Sequence, residues 1–213
     1  MRERPILFNT EMVRAILEGR KTCTRRVLKQ PFEVHPNGYI TKSRGNERLC
    51  PYIPPYQPGD ILYVRETWQK AWLVDDFDQV VVGTEKYYYA AGPETPCFDF
   101  WVDPETGEHK ERMPWRPSIH MPKEAARIWL KVTEVRVERL QEITDDGAKA
   151  EGANWKNGKN VGWEEKMRRT AVERFAEIWN STIKKSDLDR YGWDVNPWVW
   201  VVEFERCEKP GKE

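Results

Sequence analysis

The apolar residues near the start of the chain follow the repeat of an amphipathic helix. Met12, Val13, Ile16 and Leu17 form one helical stripe. Asn9 or Thr10 precedes this stripe with a side-chain oxygen suited to an N-cap, and Gly19 suits the position just beyond the helix end. The pattern predicts a short helix that leads into the basic segment 20–26.

The alternation of apolar and polar residues from 128 to 138 changes phase partway along a predicted strand. Ile128, Leu130 and Val132 share one face, whereas Val135 and Val137 share the other. Because side chains alternate strictly along a regular strand, this change predicts a β-bulge or a strand that passes from one sheet to another.

The last third of the chain carries two predicted helices and a closing strand. Thr144 is placed to cap a short helix over 145–151, with Gly152 beyond its end. A second helix is predicted from the apolar stripe Ala171, Val172, Phe175, Ile178 and Trp179. Residues 198–205 alternate as a strand, in which Trp198 and Trp200 are expected in the core.

The region between the predicted N-terminal helix and position 117 is less regular. Six prolines in 31–59 exclude a continuous helix and predict loop, and the turn at 58–60 precedes a predicted strand over 61–65. Residues 67–117 are interpreted as hairpins and loops. Short strands with few helices predict an α+β fold with a curled or closed sheet.

Composition narrows the classes of protein to consider. The 213 residues include no apolar run near the roughly 18 residues of a membrane span, and no Cys-x-x-Cys pair that suggests a zinc site. The first residues also lack the apolar run of a secretory signal, so we expect a cytoplasmic protein without a membrane partner, metal or cofactor. Net charge is zero, but residues 1–50 hold eleven Lys and Arg against five Asp and Glu. Residues 66–111 hold three Lys and Arg against eleven Asp and Glu, so the basic start of the chain is followed by an acidic segment.

The segment 20–24 contains the most reactive combination of side chains. Lys21 lies beside Thr22 and Thr24, and a lysine activates a threonine hydroxyl when its amine is neutral. If a strand begins after Lys21, both threonines point to one side of it, and backbone amides of the turn are candidate donors to an oxyanion. The alternative is an exposed basic turn that binds no specific ligand.

Three segments of the chain together resemble the ASCH domain family. They are residues 19–26 (GRKTCTRR), the turn and strand 58–65 (PGDILYVR), and the closing strand 198–204. Residues 64–68 (VRETW) and 115–122 (WRPSIHMP) resemble the longer bacterial and phage-type members. The resemblance implies one domain over 1–207, a PUA-like β-barrel with flanking helices, an insertion at about 67–117 and a tail over 208–213.

Small ASCH enzymes are amidohydrolases that remove the acetyl group from N4-acetylcytidine with a lysine, a threonine and a glutamate. The resemblance therefore implies that Lys21 is the base, Thr24 the nucleophile and Glu151 the proton carrier and anchor of the amine. This chain is about twice as long as those enzymes, and its insertion over 67–117 is expected to reshape or cover the pocket.

Further residues are expected to contact a modified nucleoside or RNA. They are Thr22, Arg25, Arg26, Arg65, Glu66, Trp68, Trp115, Ser118 and His120. The two tryptophans are candidates for stacking on a base, and the cations for holding phosphates. A binding module for RNA or another single strand without catalysis, and a ribonuclease, remain alternatives to the hydrolase.

Overall fold

Strands form the framework of the molecule, and helices pack against them. The computed structural model describes residues 2–29, 32–35, 40–44, 48–72, 81–92, 101–102, 106–110, 114–153 and 170–211. The strands are β1 (Glu3–Leu7), β2 (Cys23–Val27), β3 (Glu33–Val34), β4 (Ile40–Arg44), β5 (Arg48–Pro51), β6 (Ile61–Arg65), β7 (Trp68–Ala71), β8 (Lys86–Tyr89), β9 (Trp101–Val102), β10 (His109–Lys110), β11 (Trp129–Arg139) and β12 (Trp198–Cys207). The α-helices are α1 (Thr10–Leu17), α2 (Asp145–Ala150), α3 (Ala171–Thr182) and α4 (Leu188–Tyr191). Single 3-10 turns span Ser118–His120, Lys123–Ala125, Leu140–Glu142, Lys185–Asp187 and Trp193–Val195.

The main sheet has five strands in the order β1-β6-β11-β12-β2. β1 runs parallel to β6, and the other neighbours are antiparallel. The α+β prediction is therefore confirmed. Among the described residues, the strand pairings leave β1 and β2 as the two edges of this sheet and do not close it into a barrel.

Helix α1 covers the core face of this sheet. Its predicted N-cap is Asn9, whose side chain accepts a hydrogen bond from the Met12 amide at 2.9 Å. Val13 and Ile16 are buried against apolar residues of four strands, including Leu62 on β6 and Leu130 on β11. The stripe in the sequence thus corresponds to the buried side of the helix.

Strand β11 contains the predicted irregularity. Its pairing with β12 shifts register between Val132 and Glu134, so the bulge expected from the phase change is confirmed. Val132 packs in the core beneath α1, whereas the half-buried Val137 packs in a cluster that includes Trp200. The bulge lets one strand supply apolar residues to two separate clusters.

Helices α2 and α3 pack on the opposite side of β12. Phe175 and Trp179 of α3 form a cluster with Val199 and Val201, which lie on one face of that strand. Both predicted helices are confirmed, as is the closing strand. Of its two tryptophans, Trp200 is buried and Trp198 is only half-buried.

The predicted loop over 31–59 was wrong in part. β3, β4 and β5 form a three-stranded antiparallel sheet there. It packs on the main sheet through Ile40, and Tyr52 stacks on Trp200 with 5.9 Å between ring centroids. Proline excludes helices from this segment but is compatible with strand ends, such as Pro51 at the end of β5.

The predicted insertion at 67–117 includes two paired elements among the residues described. β7 pairs with β8, and β9 pairs with β10, both antiparallel. Residues 73–80, 93–100, 103–105 and 111–113 of this segment lie outside the described part of the chain. No helix in the described residues is both long enough and apolar enough to span a membrane.

Candidate active site

Strand β2 places two neighbouring residues on opposite faces of the sheet edge. Thr24 lies opposite Val202 of β12, on the face that packs beneath α1, and is 2% exposed. Arg25 lies opposite Val201, and its guanidinium lies 5.7 Å from the ring of Phe175 on α3. Because successive side chains of a strand point to opposite faces, the candidate nucleophile Thr24 and the buried cation Arg25 are neighbours in sequence but lie on opposite faces of this edge strand.

The end of α2 brings the distant Glu151 to the start of β2. Thr144 caps the helix by accepting a hydrogen bond from the Gly147 amide at 3.0 Å, and Glu151 follows as the C-cap residue. Glu151 forms an antiparallel bridge with Lys21, although 130 positions separate them. Gly152 then turns the chain with a φ of +88°, a conformation that favours glycine.

A buried ionic cluster forms where these two segments meet. The Lys21 Nζ donates to Glu151 Oε2 at 2.5 Å and to the Glu151 carbonyl oxygen at 3.0 Å. The Arg25 Nη1 donates to Glu151 Oε1 at 3.3 Å. The side chains of Lys21, Arg25 and Glu151 are 0%, 2% and 6% exposed. One carboxylate thus joins two cations with almost no solvent around them.

Arg25 has a second carboxylate partner. Its Nη2 and Nε donate to Glu138 Oε1 on β11, at 2.6 Å and 2.9 Å. Burial lowers the pKa of Arg25, but the carboxylates of Glu151 and Glu138 help to reverse this effect and leave the pKa raised. Arg25 therefore links two acidic side chains while remaining charged.

Cys23 lies beside the same cluster. Its sulfur accepts a hydrogen bond from Arg25 Nη1 at 3.6 Å. Burial, followed by the negative charge of Glu151, raises the pKa of the Cys23 thiol to about 12. The thiol is protonated at neutral pH and is not a nucleophile there.

Two cavities lie over this cluster and share Met12, Glu151 and Ile178. The smaller has a volume of about 40 Å³ and is lined by Met12, Thr24, Arg25, Arg26, Glu151, Phe175, Ile178, Trp179 and Thr182. The larger has a volume of about 250 Å³ and is lined by Asn9, Glu11, Met12, Ala15, Glu151, Gly152, Arg174, Ile178 and Ser181. They form a cleft between α1 and α3 that reaches Thr24 and Glu151. A small molecule in this cleft has access to a hydroxyl, a carboxylate and a guanidinium.

The structure brings the three candidate catalytic residues into one neighbourhood. Thr24 and Glu151 line the smaller cavity, and the amine of Lys21 contacts Glu151. Two of the backbone amides suggested as oxyanion donors already donate hydrogen bonds to backbone carbonyls. The Lys21 amide donates to the Ala15 carbonyl at 3.0 Å, and the Thr22 amide donates to the Ala150 carbonyl at 2.8 Å.

The other residues of the basic turn have different environments. The side chain of Thr22 is exposed. Arg26 donates from Nη2 to the Leu7 carbonyl at 2.8 Å, and its guanidinium lies 5.4 Å from the Phe8 ring. Burial lowers the pKa of Arg26. Arg26 thereby bonds the end of β1 to β2, the two edges of the main sheet.

Two of the predicted substrate contacts, Glu66 and Trp68, are buried and engaged by other side chains. Glu66 is 1% exposed, and Arg127 holds its carboxylate with two hydrogen bonds of 2.9 Å and 3.0 Å. Trp68 is 5% exposed, packs against Tyr87 and lies under the guanidinium of Arg116. These contacts leave neither the carboxylate nor the indole face open to a base.

The remaining predicted contacts lie away from the cleft. Arg65 donates to the Met121 carbonyl at 2.6 Å, Trp115 and Ser118 are half-buried, and His120 is exposed. None of these four residues lines either cavity. Arg65, Trp115, Ser118 and His120 therefore stay predicted substrate contacts that lie outside these two cavities.

The contribution of α3 to the cleft is not evident from the sequence. Phe175, Ile178, Trp179 and Thr182 line the smaller cavity from this helix. The apolar stripe revealed the helix but not the strand edge that it covers, because a stripe gives no information about its partner. Glu138 was missed because it occurs among other charged residues on a long strand.

A scan of family models gives no match to this chain, and neither curated proteins nor solved structures give one. The likeness to the ASCH family is therefore carried by the residues quoted above alone.

Proposed function

We propose that the chain is an amidohydrolase that removes an acyl group from N4-acetylcytidine or a related modified nucleoside. The observation that carries this proposal is the 2.5 Å contact between Lys21 Nζ and Glu151 Oε2, because Glu151 lines a cavity that Thr24 also lines. A PUA-like barrel remains part of the same proposal, since the five-stranded sheet and α1 are compatible with it.

The burial of this ionic cluster supports a functional interpretation. Removing charged side chains from water is costly, and a buried ion pair often gives no more stability than apolar residues of similar size. Lys21, Arg25 and Glu151 nevertheless lie together beneath a cavity. Clusters of buried charges beside a cleft are typical of catalytic sites, although they also occur in structural networks.

The proposed reaction uses the three residues in sequence. Lys21 passes a proton to Glu151, and the neutral amine then accepts the hydroxyl proton of Thr24. Thr24 Oγ1 bonds to the acyl carbon, the carbon–nitrogen bond breaks, and Glu151 returns its proton to the departing amine of the base. Water then hydrolyses the acyl-threonine ester, which releases the carboxylic acid and restores the hydroxyl. The protonated Lys21 supplies positive charge beside the tetrahedral intermediate.

The same geometry gives less support to the two alternatives, an RNA-binding module and a ribonuclease. A phosphate-binding role needs available cations, but Lys21 and Arg25 are paired with carboxylates, and Arg26 bonds a backbone carbonyl. A ribonuclease commonly uses histidine as acid or base. Among the described residues, no histidine lines either cavity.

The direct test is incubation of the purified protein with N4-acetylcytidine, followed by chromatography of the nucleosides. We expect conversion to cytidine. Lys21→Ala and Thr24→Ala should each lower turnover by about 10² or more, since each removes a base or a nucleophile.

Two exposed residues provide matched controls for these variants. Lys29→Ala and Thr133→Ala remove the same side-chain types from exposed positions outside both cavities, so turnover should be unchanged. Circular dichroism of each variant establishes that it is folded. Background turnover by the wild type, or full activity of folded Thr24→Ala, would contradict the proposal.

A further inference from the structure

Glu138 lies behind the proposed catalytic residues and contacts the cleft only through another side chain. Its Oε1 accepts both hydrogen bonds from one edge of the Arg25 guanidinium. Arg25 directs its remaining nitrogen, Nη1, toward Glu151 Oε1 at 3.3 Å. The guanidinium is planar and rigid, so fixing one edge also fixes the direction of the other.

We propose that Glu138 is a positioning residue that orients the Glu151 carboxylate through Arg25. This inference rests on the proposed function, in which Glu151 exchanges a proton with Lys21. Arg25 holds Oε1, which leaves Oε2 directed at the Lys21 amine. Without Glu138, the guanidinium loses its two shortest hydrogen bonds and can turn away from Glu151.

The position of Glu138 in the charge network adds an electrostatic role. Its side chain is 15% exposed, and Arg136 Nε lies 3.5 Å from Oε2 on the solvent side. Arg136 also bonds Glu203 on β12 and contacts Glu134. Among the described residues, the charged and titratable groups around the cluster are Lys21 just before β2, Cys23, Arg25 and Arg26 on β2, Glu134, Arg136 and Glu138 on β11, Glu203 on β12, and Glu11 and Arg174 at the cleft.

The sign of the expected pH effect follows from these charges. Glu138→Gln keeps an oxygen acceptor for Arg25 but removes a negative charge, so the cluster becomes more positive. Proton release in the cluster then becomes easier, and the acidic limb of the kcat profile should move to lower pH by on the order of one unit. Arg136→Gln removes a positive charge beside Glu138 and should move the limb to higher pH.

The test compares the pH dependence of N4-acetylcytidine turnover for wild type, Glu138→Ala, Glu138→Gln, Arg136→Gln and Glu205→Gln. Glu138→Ala removes the acceptor that holds Arg25, so we expect kcat to fall about tenfold or more at nearly unchanged KM, as for the loss of a group that orients a catalytic residue. Glu138→Gln keeps an acceptor and should restore much of this kcat while shifting the pH profile. Glu205→Gln is the matched control. It removes one negative charge from an exposed position on the neighbouring strand β12, where Glu205 pairs with Lys131 outside this network, and should leave the profile unchanged.

Each outcome decides the inference. A folded Glu138→Ala enzyme with wild-type kcat, or a folded Glu138→Gln enzyme with the wild-type pH profile, would overturn it. If neither variant folds, Arg136→Gln decides, and an unshifted profile in that variant would overturn the inference.

A measurement without substrate separates this inference from the proposed function. In carbon-13 NMR at pH 7, the carboxyl signal of Glu151 should move in Glu138→Ala, because Arg25 no longer holds Oε1 in place, and should stay near its wild-type position in Glu205→Gln. If the wild type does not hydrolyse N4-acetylcytidine, the proposed function fails, and this signal still tests the link between Glu138 and Glu151. An unchanged signal in Glu138→Ala would show that the link is absent.

Discussion

At the scale of single residues, Lys21 and Glu151 differ in the number of oppositely charged partners. Glu151 bonds both Lys21 and Arg25. Among the described residues, the carboxylate of Glu151 is the acidic partner of Lys21. Loss of Glu151 therefore leaves a buried ammonium unpaired, whereas loss of Lys21 leaves the carboxylate with a guanidinium.

This difference predicts unequal effects on stability. Glu151→Gln should lower the free energy of unfolding by about 3 kcal/mol or more, as when one member of a buried ion pair is removed. Lys21→Met should cost at least about 1 kcal/mol less, because its apolar side chain fills the site and Arg25 still pairs Glu151. Urea unfolding at pH 7, followed by tryptophan fluorescence, measures both values. An equal or larger loss for Lys21→Met would contradict the argument.

Cys23 gives a second prediction at this scale, on the pH dependence of stability. The folded pKa of its thiol is raised from 9.0 to about 12 by burial and by Glu151. Unfolding frees the thiol to ionise at its ordinary pKa, so its contribution to stability is complete below about pH 9 and decreases as pH rises toward 12. Between pH 8 and pH 10 the wild type should therefore lose more stability than Cys23→Ala. Urea unfolding at several pH values provides the measurement, and parallel losses in the two proteins would contradict it.

The sequence indicated some members of the buried ionic cluster but not the contacts of Arg25 and Glu138. The resemblance implies one catalytic set of Lys21, Thr24 and Glu151. In the structure, Thr24 and Glu151 line one cavity and Lys21 bonds Glu151, while their catalytic roles stay a prediction. Arg25 was expected to contact substrate because an isolated arginine in a sequence shows its charge but not its partner. Its contacts with Glu138 depend on the alignment of three strands, which no local pattern reveals.

At the scale of elements, the turn after α2 controls where Glu151 lies. Gly152 has a φ of +88°, and a Cβ added there would lie 3.0 Å from the Cβ of Ala15 on α1. A side chain at this position therefore meets both backbone strain and a neighbouring helix.

We expect Gly152→Ala to destabilise the protein by about 1–2 kcal/mol or more and to reduce turnover, because relief of the contact displaces Glu151. Gly83→Ala is the matched control. Its φ is +85°, but nothing lies within 4 Å of the added Cβ, so it carries the backbone cost without the contact. Urea unfolding and N4-acetylcytidine turnover should show a larger loss for Gly152→Ala in both measurements. Equal behaviour of the two variants would contradict this role for the turn.

The elements differ in how well their sequences predict them. The bulge in β11 was visible because its apolar residues change face, and α2 was visible because Thr144 and Gly152 mark its ends. The sheet of β3, β4 and β5 was missed because prolines dominate its segment and its strands are two to five residues long. Pairing partners distant in sequence determine such short strands more than their own residues do.

At the scale of the whole molecule, zero net charge conceals a separation along the chain. The first 50 residues are basic, and residues 66–111 are acidic. The structure shows that several cations of the basic part are engaged inside the protein. Lys21 and Arg25 bond carboxylates of α2 and β11, Arg20 bonds Glu18, and Arg26 bonds the Leu7 carbonyl.

This use of positive charge predicts weak binding to RNA. Affinity for a single strand depends on cations that displace its counterions, and the logarithm of that affinity falls by about 0.7 per neutralised phosphate for each tenfold rise in salt. With the cations of the basic segment paired internally, we expect a labelled 12-nucleotide RNA to bind weakly in fluorescence anisotropy even at about 50 mM KCl. N4-acetylcytidine is uncharged, so its turnover should change little between about 50 and 300 mM KCl. Tight RNA binding with a steep salt dependence, together with no turnover of the nucleoside, would instead favour the binding module, because phosphate contacts would then have to come from cations outside the cleft.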